Sequence, residues 1–360
     1  MKKLSFFLTL ALIISLLAGC AGTPVVYYSD CTCPTGSHEA ATETVAPTET
    51  VIAGEGAVKT GLYIGTSISD SVSATAEENG EAKYDVTLVA VTVDDNGVID
   101  SCVIDSIPAS VAFDASGVIT TDLTAEVQTK NELGENYGMK LYGGAKYEWN
   151  EQVAALASYA VGKTVDELKN GAIDESGKAA DADLASTATI YLGGYVSAIE
   201  AAVNNAQHLG AQAGDELRLA SISSLASSTG ADAENAGNAQ LDSDVTVLTM
   251  NGDTITSCYI DSLQAKVSFD AAGAITADLS APVQTKNELG ENYGMKMYAG
   301  SAYEWNEQAA AFAQYVTGKT AAEVAGIAVN EKNAPTDADL ASTVTIAVGG
   351  FQALIQKAAQ

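Results

Sequence analysis

Two seven-residue strings hold the hydroxyl and carboxylate groups best placed to do chemistry in this chain. Asp183-Leu184-Ala185-Ser186-Thr187-Ala188-Thr189 and Asp339-Leu340-Ala341-Ser342-Thr343-Val344-Thr345 share the pattern Asp-x-x-Ser-x-small-Thr, 156 residues apart. A Ser or Thr hydroxyl becomes an enzymatic nucleophile beside a general base, most often histidine. The 360 residues include only His38 and His208, both in weakly patterned stretches. That removes Ser–His–Asp and Cys–His catalysis and histidine-built metal sites, so no residue is read as catalytic or as a metal ligand. Occurring once, the string would read as a β-strand of small and β-branched residues. Occurring twice, beside a second shared segment, it reads as a site.

The strings close a duplication. Cys102–Thr189 aligns with Cys258–Thr345 without gaps, and about 55 of 88 positions are identical. The likeness begins earlier, near Leu62 and Leu219, where the first copy carries an insertion. Solenoid units repeat every ~20–50 residues, so this longer period is a whole domain copied once. The boundaries are 58–205 and 216–360, with 206–215 as connector. In each copy, strands precede helices. Asp85–Val93 is rich in β-branched residues and runs into Asp95-Asn96-Gly97, a hairpin signal. Val98–Ser106 pairs back, Ser110–Phe113 begins a further strand, and Asp114-Ala115-Ser116-Gly117 turns it into Val118–Thr121. After a Gly-punctuated loop, Tyr147–Val161 carries Trp149, Val153, Leu156 and Ala160 at helical spacing. Thr164-Val165-Asp166-Glu167 is a capping box opening a short helix, and an Ala-rich helix follows from about Tyr195 to Ala206. The predicted class is α+β: two tandem homologous domains, each a small antiparallel sheet packed with helices.

The two copies act as an internal comparison. Thr129–Lys140 (TKNELGENYGMK) equals Thr285–Lys296 at every position, and Asp181–Thr189 differs from Asp337–Thr345 at one. Ile173–Ala180, between them, differs almost throughout, so the shared segments are under local constraint.

Met1–Cys20 has the form of an export signal: Lys2 and Lys3, an apolar run Leu4–Leu17, then small Ala18 and Gly19. Leu17-Ala18-Gly19-Cys20 resembles the bacterial lipobox, which implies removal of residues 1–19 and lipidation of Cys20. Residues 20–57, rich in Thr, Ser, Ala, Pro and Glu, form a flexible linker. Seventeen Lys and Arg against 46 Asp and Glu give a net charge of −29, which excludes a nucleic-acid footprint and adsorption by a basic face. Cys31 and Cys33 have poor spacing for a disulfide and make a weak metal site, and Cys102 and Cys258 read as small core residues on strands; a bridge within either pair is left open.

The Asp-x-x-Ser-x-small-Thr strings resemble a flavinylation motif, in which a separate transferase joins the phosphate of FMN to the final threonine. Gly is usual where Thr187 and Thr343 stand, and Ala where Val344 stands. TKNELGENYGM followed by an EWNEQ helix start is similar to the FMN-binding domain of Gram-positive extracellular electron-transfer lipoproteins, and the lipobox and domain pair extend the likeness over most of the chain. The resemblance implies two FMN groups, each esterified through phosphate to Thr189 or Thr345, with Asp183, Ser186, Asp339 and Ser342 completing the motifs. Around such a group, Lys130 and Lys286 would favour the reduced form, while Trp149, Trp305, Tyr137 and Tyr293 could stack on the ring. Asn131, Asn287, Gln152 and Gln308 could bond its carbonyl edge. Other roles stay open: Trp149 and Trp305 as core anchors, Lys130 as an ion pair with Glu132, and Glu148 and Glu151 as complements to a helix N-terminus.

Taken together, the resemblance implies a non-enzymatic electron carrier, lipid-anchored on the outer face of a Gram-positive cell membrane. Its implied partners are an FMN transferase, a membrane quinone-linked dehydrogenase as donor, and extracellular acceptors: metal ions, soluble flavins or reductases. The alternative is a non-redox binding or adhesion lipoprotein with duplicated α+β modules. A flavin-dependent reductase is a third reading, although no G-x-G-x-x-G follows a strand.

Overall fold

The structure is a computed structural model that describes residues 56–360; the export signal, Cys20, Cys31, Cys33 and the linker to residue 55 lie outside the described residues. Strands β1 (Lys59–Ser67), β2 (Gly80–Val93) and β3 (Ile99–Phe113) form an antiparallel meander in the order β1-β2-β3. β2 alternates buried and half-buried residues up to Thr87 and is wholly buried from Leu88 to Val93, because that end is covered on both faces. At the β2–β3 hairpin, Asp94 Oδ1 accepts from the backbone N–H of Asn96 and Val98, both at 2.8 Å.

Two expectations are corrected here. β3 is one strand rather than two. It runs unbroken through Pro108, which is tolerated because β3 is an edge and the missing N–H leaves no internal ladder bond unmade. The Asp114–Gly117 turn leads not into a strand over 118–121 but into a single bridge, Phe113 to Ile119.

The helices follow: α1 (Lys130–Leu133), α2 (Met139–Gly143), α3 (Trp149–Ala160), α4 (Val165–Gly171), α5 (Ala182–Thr187) and α6 (Gly193–Asn204). The second copy repeats the order with β4 (Glu216–Ser224), β5 (Gly237–Asn251), β6 (Thr254–Phe269), α7 (Lys286–Leu289), α8 (Met295–Ala299), α9 (Trp305–Val316), α10 (Ala321–Ala325), α11 (Ala338–Ala341) and α12 (Gly349–Ala358). Its sheet order is β4-β5-β6, again antiparallel. The fold is α+β, with two three-stranded sheets each packed with helices.

The two sheets share a core. Tyr84, Leu88, Val111 and Phe113 of the first pack with Leu241, Val247, Val267 and Phe269 of the second in one buried cluster. At its centre the rings of Phe113 and Phe269 stack with centroids 4.0 Å apart and planes 4° from parallel. The opposite face of each sheet carries helices: Val89, Val91 and Ile104 against α3 and α6, and Leu248, Ile255 and Ile260 against α9 and α12. Four layers result, helix–sheet–sheet–helix, with residues from both copies in one body. A buried hydrogen bond from copy to copy, Thr60 Oγ1 to Ser257 Oγ at 2.8 Å, adds a polar tie.

Cys102 on β3 and Cys258 on β6 are free thiols, and burial pushes both up to about 12. They are inert packing groups, with no bridge between them. Among the described residues no helix is long and apolar enough to cross a membrane.

Candidate functional site

The segment shared at every position is built to hold still. Thr129 caps α1, accepting from Glu132 N–H, while Glu132 Oε2 accepts from Thr129 N–H at 2.8 Å. Asn131 pins α1 to β3: its backbone N–H donates to Asp105 Oδ1 at 3.1 Å and its Nδ2 to the carbonyl of Ile104 at 2.9 Å. Asn287 does the same to Asp261 and Ile260, both at 3.0 Å. The sequence placed these asparagines on a ligand's carbonyl edge; in the structure one amide N–H of each anchors the loop to the strand, and Asn287 Oδ1 is buried without a hydrogen-bond partner among the described residues. Asp105 and Asp261 are buried, and burial raises both carboxyls, Asp261 to about 6.

Gly138 then turns the chain at φ 82°, with the ring of Tyr142 lying where a β-carbon would be. Buried Glu148 accepts from the first N–H groups of α2, those of Met139 at 2.8 Å and Lys140 at 3.1 Å, and also caps α3. Its role is structural, as is that of Glu304 in the second copy.

This scaffold presents Lys130. Its ammonium lies 5.0 Å from the ring centroids of both Tyr137 and Trp149; Lys286 lies 5.2 Å and 4.9 Å from those of Tyr293 and Trp305. Among the described residues neither lysine is in an ion pair. Glu132, the partner considered from sequence, pairs instead with Lys357 of the other copy. Trp149 is only 3% exposed and donates from Nε1 to Tyr195 Oη at 3.0 Å, so it is a core anchor and a wall of the site at once.

The Asp-x-x-Ser-x-small-Thr strings are not strands. Asp181 and Asp337 cap α5 and α11, and these helices end before Thr189 and Thr345, which lie exposed in extended segments. The Ser186 and Thr187 hydroxyls donate back into α5, to Asp183 O at 2.7 Å and Leu184 O at 3.1 Å. Ser342 and Thr343 repeat this at 2.6 and 3.3 Å. Asp183 and Asp339 face solvent.

The residue that sequence reasoning misplaced is Gln152. It is fully buried, and its Oε1 accepts three bonds: Thr189 N–H at 2.8 Å, Thr189 Oγ1 at 3.2 Å and Ile190 N–H at 3.2 Å. Its Nε2 donates to the carbonyl of Tyr147 at 3.0 Å. Gln308 holds Thr345 and Ile346 at 2.8, 3.1 and 3.2 Å. No hydrogen-bonding capacity is left for a ligand's carbonyls; the glutamine positions the threonine. The signal available in the sequence was a polar residue at a core-facing position of α3, repeated in α9.

Beside Thr189 is a cavity of about 660 Å³, within the ~300–1,000 Å³ common for small-molecule sites. Ile190 and Tyr191, the next two residues, line it together with Lys130, Tyr137, Trp149 and Tyr195. An aromatic-walled cleft with one cation, Lys130, and one carboxylate, Asp85, next to an exposed threonine held by a buried amide, fits a planar, electron-accepting ring tethered at that threonine. The residues present are compatible with covalent FMN. No protein-family model, curated protein or solved structure matches the chain.

Proposed function

We propose that this chain is a lipid-anchored extracellular electron carrier with two FMN groups, esterified through phosphate to Thr189 and Thr345. The observation that carries the reading is the pairing, made in both copies, of an exposed threonine held by a buried glutamine with a lysine set between a tyrosine and a tryptophan. Bound FMN would supply reversible two-electron chemistry that the side chains lack. The chain's own part is positional. Gln152 and Gln308 hold the acceptor segments, and Trp149 with Tyr137 gives an apolar wall. Lys130 and Lys286 offer positive charge, which favours a more negative, reduced ligand. Exposed Asp183 and Ser186 leave the motif open to a modifying transferase. Reduced flavin would pass electrons from a membrane donor to extracellular acceptors without a second substrate pocket, and a charge of −29 keeps the protein clear of anionic surfaces.

The test is intact mass after co-expression with an FMN transferase. Two FMN-minus-water increments are expected on the native chain, one on Thr189→Ala and none on the double variant Thr189→Ala/Thr345→Ala. A colourless, unmodified protein would instead fit the reading as a duplicated binding lipoprotein.

A further inference from the structure

The two sites are alike on their helical side and different on their strand side. Lys130, Tyr137, Met139 and Trp149 have identical counterparts in Lys286, Tyr293, Met295 and Trp305. The sheet register fixes the strand-side counterparts. Thr87 pairs with Ser106 in the first copy, and Asp244 pairs with Ser262 in the second, so a carboxylate stands where the first cavity has a hydroxyl.

Asp244 belongs to the wall of the second site. Its Oδ1 accepts from Ser262 Oγ, and its Oδ2 lies 3.5 Å from where a β-carbon on Gly350 would be. Gly350 matches Gly194, which lines the first cavity. Three tyrosines of the first cavity are also lost: Tyr63, Tyr191 and Tyr195 are replaced by Ala220, Ala347 and Phe351. Both copies keep a carboxylate at one strand position, Asp85 and Asp242. At the four differing positions the first site carries hydroxyls able to donate toward negative charge, with the Tyr195 proton left over after its oxygen accepts from Trp149. At those positions the second site offers no hydroxyl and one carboxylate.

We infer that the two sites hold the same group at different reduction potentials, with Asp244 making the one at Thr345 the harder to reduce. This rests on the proposed attachment of FMN. Reduction of the ring by two electrons and one proton adds one negative charge, taken in the test below from dithionite. Donor hydroxyls stabilise that charge and a neighbouring carboxylate opposes it. A difference set by side chains would give the pair an order of filling, first site before second.

The experiment uses the full chain co-expressed with an FMN transferase, each variant checked by intact mass and then titrated with dithionite and mediators under visible absorbance. Thr345→Ala reports the first site and Thr189→Ala the second. The expected result is a lower midpoint for Thr189→Ala, raised when Asp244→Thr is added to it. The reciprocal Thr87→Asp, added to Thr345→Ala, should lower that midpoint and serves if Asp244→Thr does not fold. Equal or inverted midpoints would overturn the inference while leaving attachment intact, and modification at Thr189 alone would overturn the inference together with the attachment at Thr345. No FMN increment on any chain would overturn the attachment and the inference together.

Discussion

Gln152 and Thr189 lie 37 residues apart and meet through one carboxamide oxygen that accepts from both the backbone N–H and the hydroxyl of the threonine. A fully buried amide bound to an exposed threonine separates two tasks: the glutamine fixes the segment, and the threonine stays at the surface. Replacing Gln152 by Leu leaves two backbone N–H groups and the hydroxyl without that acceptor. At ~1 kcal/mol per lost bond, plus the cost of any donor left buried, the variant should be roughly 2–4 kcal/mol less stable in urea titration. Modification at Thr189 should fall while that at Thr345 is kept.

The Phe113–Phe269 stack makes the copies thermodynamically one. Phe113→Ala should cost about 3–5 kcal/mol and move a single unfolding transition as a whole, followed by calorimetry or circular dichroism on the same sample. Residues 56–206 expressed alone would expose Leu88, Val111 and Phe113 and should not give a cooperative transition. Two separate transitions in the native chain would contradict the shared core.

Lys130 acts on charge and on packing. Lys130→Met removes a cation from beside Tyr137 and Trp149, with about 0.5–1 kcal/mol of stability lost. On FMN-loaded chain the midpoint at the first site should drop by roughly 20–30 mV, equivalent to about 1 kcal/mol for a two-electron couple. Spectroelectrochemistry on the Thr345→Ala background reads this shift directly.

Asp261 sets a pH dependence. Burial holds its carboxyl at about 6 in the folded protein, above the 3.8 of an unperturbed aspartate, against hydrogen bonds from Thr285, Asn287 and Ser262. The folded state therefore binds this proton more tightly than the unfolded state. The stabilisation is fully present below about pH 4 and is lost as pH rises through about 6, on the order of 2–3 kcal/mol in all. Asp261→Asn keeps an acceptor oxygen and cannot ionise. Relative to the native chain it should gain stability between pH 4 and pH 7, and urea midpoints at the two pH values would test this. A constant difference would show that the carboxyl titrates normally.

Much of this architecture was legible because it rests on local chemistry. Thr164 with Glu167 marks the start of α4, the apolar spacing of Trp149, Val153, Leu156 and Ala160 marks the face of α3, and Asn96-Gly97 marks the first hairpin. What escaped the sequence depends on partners far along the chain. Pro108 reads as a strand break until β3 is known to be an edge. Asp181 caps a short helix in a string that, occurring once, would read as a strand of small and β-branched residues. Asn131 and Gln152 have side chains suited to a ligand, and only the positions of Ile104 and Thr189 show that the first ties its loop to β3 and the second spends its carboxamide oxygen within the protein.

The common core between the sheets leaves no hinge at the join of the two copies. The span from Thr189 to Thr345 is therefore a constant of the fold rather than a variable of motion. Any functional divergence between the halves has to be written in the side chains that line each of them, which makes the strand-side substitutions the place where evolution could tune this molecule without altering its frame.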